Sequence, residues 1–299
     1  MRNRFLEKSS LCLVGLALNF LFIEARCQDT AAILNSPDKK LQIAFTIGKH
    51  GEKNNTNQLV YTVSFNGKEL IKPSTLSLDI KGYEPLGSNI SIINAKTTSG
   101  DDSYQLVTGK ASTIHNKYNE LQLELEEAIS PKRKLIIEAR AYNDAVSFRY
   151  VVPQQTTSDS GYALKNENTE FAFAADAITY SQVLPHYRSM YESEYLKLPV
   201  SAFSNQGGVK SSVLIGLPML AEVPGVGWLA IAETDLLNYT SMYLTNPSGG
   251  WTGHTMLSRL SPRLDSSGLA LKRTILFVQH GVSLWLQISL ADYWSRMQS

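Results

Sequence analysis

From residue 41 onward the sequence alternates apolar with polar side chains in short runs, and nearly every run is closed by Gly, Asn, Asp or Pro. In an extended chain every second side chain falls on the same face, so this period suits strands with one dry face and one wet face. LQIAFTI (41–47) and LVYTVSF (59–65) are such runs, and the second ends in Asn66-Gly67, a pair that favours the tight turn of a hairpin. LSLDI (76–80) ends in Lys81-Gly82. Further runs follow as ISIINAK, LQLELEE, KLIIEARAY, AVSFRYVV, TEFAFA, SSVLIGLPML, GWLAIAE and KRTILFVQ. Strands at this spacing predict an all-β sandwich and argue against βαβ units. SLWLQISL (283–290) is read as a last strand in preference to an amphipathic helix. Neither a repeat of about 20–50 residues nor a low-complexity linker divides the chain, so one large β domain is expected.

The first 27 residues differ in kind. Arg2, Arg4 and Lys8 precede the apolar run LCLVGLALNFLFI (11–23), which leads into Glu24, Ala25, Arg26 and Cys27. That is the layout of a secretory signal peptide. The run is shorter than the roughly 20 apolar residues a membrane span needs, so no stable span is expected. Ala25 and Arg26 argue against a lipid anchor on Cys27. The expected organisation is a leader at 1–27 and an exported, periplasmic domain at 28–299. Both cysteines, Cys12 and Cys27, fall in the leader, which leaves the mature chain without a disulfide, a thiol nucleophile or a Cys-based zinc site.

The formal net charge is +1, with no basic stripe interleaved with aromatics, so nucleic acid is not an expected partner. The sequence has no Gly-x-Ser-x-Gly elbow, no Walker loop and no His-Glu-x-x-His. Its five histidines are scattered, and the Gly-rich NPSGGWTGH (246–254) reads as a hairpin loop that could present Trp251. Carboxylates remain. MYESEYL (190–196) holds Glu192 and Glu194 between tyrosines. If this segment is extended, both acids share one face. That suits a shared ligand better than the opposed acid and base of glycoside hydrolysis. From the residues alone, metal ligands and a solvated strand face both stay open.

Five longer stretches point further: SPDKKLQIAFTI (36–47), LIKPSTLSLDI (70–80), HNKYNELQLEL (115–125), AYNDAVSFRYVVPQQ (141–155) and LAIAETDLLNYTSMYL (229–244). In order and spacing they resemble the N-terminal domain of glycoside hydrolase family 97. The resemblance implies an exported bacterial α-glycosidase, an α-glucosidase or α-galactosidase, in three parts. A β-supersandwich similar to galactose mutarotase packs on a catalytic (β/α)₈ barrel, and a small β domain follows. The general acid and the base or nucleophile belong to the barrel, which takes an α-linked oligosaccharide. The N-terminal domain lends one glutamate to an active-site calcium ion, and YESEYL matches that motif. Glu194 is the residue carried over, with Glu192 as second choice.

The match weakens toward the end. GLALKRTILFV (268–278) has Leu271 and Lys272 before Arg273, where the family has a Gly-rich approach to Pro-Trp-Arg, and residues 279–299 leave the family pattern. The expectation is therefore a domain truncated before its catalytic barrel, inactive alone, with no catalytic residue of its own. Two other readings remain: a stand-alone carbohydrate-binding module or an inactive remnant of a broken gene, and a mutarotase using His186 with Glu194.

Overall fold

The computed structural model describes residues 31–49, 57–108, 112–153, 162–204, 213–237, 239–246, 254–261, 275–276 and 283–290; for 235–237, 275–276 and 283–290 only the backbone is described. The expected leader and Trp251 lie outside these residues. No described helix is long and apolar enough to cross a membrane.

The described residues form eighteen strands and one short 3-10 helix, Val200–Ser204. In chain order the strands are β1 (Ala32–Asn35), β2 (Leu41–Lys49), β3 (Asn57–Phe65), β4 (Lys68–Ile80), β5 (Ile90–Gln105), β6 (Thr113–Glu127), β7 (Lys134–Ala141), β8 (Ala145–Val151) and β9 (Ala163–Ala172). Then come β10 (Ile178–Leu184), β11 (Tyr195–Pro199), β12 (Leu214–Ile215), β13 (Met219–Val223), β14 (Gly227–Leu237), β15 (Met242–Thr245), β16 (Thr255–Leu260), β17 (Ile275–Leu276) and β18 (Ser283–Leu290).

The strands make two antiparallel sheets. One runs β1-β2-β3-β4-β9, and beyond β9 continues through β16 and β15 to β12, with β17 on the other half of β9. The other runs β5-β6-β7-β8-β18-β14-β13-β10-β11. Strand β10 joins them: its start pairs with β13, while Val183 and Leu184 at its end pair with β12.

The alternation decides which face of each sheet is dry. Leu41, Ile43 and Phe45 of β2 are buried, as are Leu121, Leu123 and Leu125 of β6. The two dry faces meet across the sandwich, where Phe148 of β8 packs against Phe45 and Tyr61 at ring separations of 6.2 and 5.1 Å. One continuous apolar core results. The last strand at 283–290 forms as expected and fills the second sheet between β8 and β14.

Turn chemistry holds where it was legible. Asn66 and Gly67 both have positive φ, 50° and 74°, as a two-residue hairpin turn of the favoured twist requires. Pro73 sits inside β4, yet costs no ladder bond, because the pairing with β3 skips from Ser74 to Ile71 around it. SSVLIGLPML, read as one run, splits into β12 and β13 at Gly216–Pro218, where proline has no N–H to donate. Gly87 is a position of strain for any other residue. Its φ is 123°, and a Cβ would lie 2.3 Å from the Leu76 carbonyl oxygen. Gly87→Ala should destabilise by about 2 kcal/mol, visible as a lower thermal midpoint; an unchanged midpoint would contradict this.

Candidate functional site

Glu192 and Glu194 lie on the ten-residue connection between β10 and β11, an edge hairpin of the second sheet in which Gln182 faces Tyr195 and Ile178 faces Pro199. The segment is not extended, as the shared-face reading assumed. Tyr191 has φ of 57°, and strand pairing begins only at Tyr195. Backbone satisfaction is the physical reason: the connection turns back onto its own hairpin. The Gln182 Nε2 amide donates to the carbonyls of Tyr191 and Ser193 at 2.8 and 3.0 Å, and the Ser193 hydroxyl donates to the Val183 carbonyl at 3.1 Å.

Side chains anchor the same loop. The Tyr191 hydroxyl is hydrogen-bonded to that of Tyr243, and Tyr187 meets Tyr243 edge-on at 5.3 Å above Leu184 and Leu214. The backbone on both sides of Glu192 and just before Glu194 is thus fixed, while both carboxylates are exposed. Their neighbours in the chain are exposed apolar side chains, chiefly Met190 at 81% and Tyr195 at 56%, with Tyr191 and Leu196. Neither acid is in a salt bridge among the described residues.

Carboxylate oxygens suit a hard cation, but calcium takes six to eight of them. No cluster of three or more His, Cys, Asp or Glu side chains able to hold a metal occurs among the described residues. By itself the loop is too poor in oxygen donors to hold such an ion. His186, the partner in the mutarotase reading, is exposed on the same loop, and its Nδ1 accepts from the Arg188 amide at 3.2 Å.

The second polar assembly was not foreseen from sequence. Glu167 on β9 is 1% exposed and accepts from the Thr169 hydroxyl at 2.6 Å and the Tyr239 hydroxyl at 2.9 Å. Thr169 shares a hydrogen bond with Tyr150, and Ser258 ties the strand backbone on both sides. Burial pushes the Glu167 carboxyl above its usual range against the opposing effect of its two hydroxyl donors. Glu233 on β14 accepts from the Met242 amide at 2.7 Å and is pushed up to about 7, by burial first and by the nearby Glu167 as well. The signal was present in NENTEFAF, where Glu167 is in phase with Thr169, Phe171 and Phe173 and so falls on the inward face. Glu167 is enclosed in the core while Glu233 is partly exposed, and their hydrogen bonds tie neighbouring strands together.

Comparison with known proteins settles the family. The glycosyl-hydrolase 97 N-terminal family model matches residues 34–274. The chain belongs to that family. A retaining alpha-galactosidase of Bacteroides thetaiotaomicron is 26% identical over 235 residues, which cover 77% of this chain and 32% of that enzyme. Among solved structures, a glycoside hydrolase family 97 enzyme from Pseudoalteromonas sp. strain K8, in complex with panose, is similar with a TM-score of 0.70 at 21% identity. The match covers 87% of this chain and 36% of that one. A beta-arabinopyranosidase is similar with a TM-score of 0.72 at 24% identity, covering 89% of this chain and 40% of that one. At such identities the structural likeness carries the fold. This family 97 chain spans about a third of the length of the curated relative it matches.

Proposed function

We propose that the chain is the N-terminal domain of an exported α-glycosidase, a β-supersandwich similar to galactose mutarotase that packs on a catalytic barrel and supplies Glu194 to a calcium ion at the active site. The observation that carries this reading is the loop at 185–194. It presents exposed carboxylates on a fixed backbone, between exposed apolar residues in the chain. Exposed apolar side chains at one loop suit a surface that another protein surface covers. An acid on the same loop is then withdrawn from water on docking, where a cation is needed to compensate it. The substrate, on this reading, is an α-linked oligosaccharide held by the barrel.

The isolated 299-residue chain should turn over neither aryl α-glucosides nor aryl α-galactosides, with or without calcium, because one lent carboxylate does not provide an opposed acid and base. Calcium-dependent hydrolysis by this chain would place the chemistry elsewhere. The positive test joins the chain to the remainder of the Bacteroides enzyme. In that chimera Glu194→Gln keeps the shape and removes the charge. It should raise the calcium concentration needed for half-maximal activity about 10- to 100-fold, a range typical of weakened metal sites. Glu192→Gln should change it little. A silent Glu194→Gln with a crippling Glu192→Gln would assign the role to the other acid, and two silent substitutions would leave the pair as solvated surface. A stand-alone binding module would instead leave the chimera's activity independent of the whole loop.

A further inference from the structure

We infer that the cleft between the β4–β5 and β6–β7 connections is a second carbohydrate site, one that takes an α-linked oligosaccharide on the face of Tyr83. The α-linkage rests on the function proposed above; the site itself rests on the cleft. It has a volume of about 520 Å³, within the range of small-molecule sites. Tyr83 and Glu84 come from one connection, Ile129 and Ser130 from the other, and Lys165 from β9.

Tyr83 is a platform built in advance. The residue is 40% exposed, yet its ring is held by the Arg133 guanidinium 5.0 Å from its centroid and by Tyr162 edge-on at 5.7 Å. Arg133 is itself locked. Its Nε donates to Glu127 at 2.8 Å, and its Nη2 donates to Glu127 and, at 2.7 Å, to the Glu84 carbonyl. An exposed aromatic ring whose motion is already restricted loses little entropy when a ligand stacks on it.

The polar groups choose the ligand class. Lys165 and Ser130 donate, the Glu84 carboxylate accepts, and a sugar hydroxyl does both. Arg133 is neutralised by Glu127, and Lys165 lies 3.7 Å from Asp79 with Glu84 also on the rim. With two cations against three carboxylates, the wall does not select an anion. It selects a neutral polyol with one apolar face, which is what a pyranose presents to an aromatic ring. The buried Arg133 Nη1 has no hydrogen-bond partner among the described residues.

The test is panose binding to the full 299-residue chain, followed by calorimetric titration and saturation-transfer NMR. Tyr83→Ala should weaken binding about tenfold, Tyr83→Phe should leave it unchanged, and Glu84→Ala should weaken it several-fold. Glu194→Gln should have no effect, which separates this site from the loop of the proposed function. If Tyr83→Ala impairs folding, Glu84→Ala and Lys165→Ala, both at exposed side chains, carry the test. Absence of panose binding, or binding unchanged by Tyr83→Ala and Glu84→Ala, would overturn the inference and leave the chimera result untouched. Loss of binding in Glu194→Gln alone would overturn it too, by placing the sugar on the other loop.

Discussion

Arg133→Ala should destabilise the domain by about 3–5 kcal/mol, among the largest effects of any single substitution in the described residues. The side chains of Arg133 and Glu127 are 2% and 5% exposed. Removing the guanidinium leaves the Glu127 carboxylate in the interior with one remaining donor, the residue 133 backbone amide at 3.1 Å. It also strips the Glu84 carbonyl of its partner. The cost is that of an uncompensated buried charge, which exceeds the worth of the pair itself. Urea unfolding at neutral pH should therefore show a lower midpoint for Arg133→Ala, with a thermal midpoint lower by about 10 °C. The double change Arg133→Met with Glu127→Leu should recover most of the loss, since apolar replacement of both partners is often neutral or better. As a contrast, Arg140 and Glu120 form a 2.6 Å pair at about 30% exposure, and Glu120→Gln should cost about 1 kcal/mol or less. Equal losses at the two pairs would show that burial is not what sets the cost.

A second large effect should appear with pH. Glu233 titrates at about 7 in the folded protein and near its ordinary value of 4.5 when unfolded. Below the lower value both states hold the proton, and the stabilisation is complete. Between the two values only the folded state holds it, so each unit of rising pH weakens the fold, until above about 7 the folded protein carries a carboxylate beside Glu167. The full linkage would be about 3 kcal/mol, and the partial exposure of Glu233 reduces it to about 2 kcal/mol. Glu167, raised by burial, acts in the same direction. Asp38 and Asp176 do not interfere. Burial raises each, but hydrogen bonds and charge together, from Ser36 and Lys40 on Asp38 and from Ser201 and His254 on Asp176, more than offset it and hold both below the usual carboxylate range, so their contributions are lost only at more acid pH. Denaturation at about pH 5 and about pH 8 should show the wild type weaker at the higher pH. Glu233→Gln should flatten that difference, and a slope that survives the substitution would remove Glu233 as its source.

The strands were legible wherever period-two alternation met a turn residue. LQIAFTI, LVYTVSF and LQLELEE became parts of β2, β3 and β6 because each carries its own apolar face and its own stop signal. Other elements had no such signature. ITYSQVL forms β10, a strand flanked by β11 and β13 and tied to β12, with Thr179 and Ser181 buried and hydrogen-bonded to each other. A strand whose inward positions are hydroxyls reads as a loop until the neighbours that satisfy them are in place. YLKLP forms β11 as an exposed edge, where pairing and not burial makes the strand.

The same division runs through the site. The amino-acid sequence by itself determined an all-β sandwich, the hairpin turn at Asn66-Gly67 and, through its longer matched stretches, membership of glycosyl-hydrolase family 97, because periodicity, turn propensity and matched motifs are local properties of the chain. It also named Glu192 and Glu194, but not their setting. Only the tertiary structure decided that these acids stand on a pinned loop, that the buried Glu167 comes near enough to act on the partly exposed Glu233, and that Arg133 lies buried against the Tyr83 ring. Each of those arrangements joins residues from strands or connections far apart in sequence. What a carboxylate or a guanidinium does depends on the dielectric and the partners that such neighbours supply, and no local pattern carries that information.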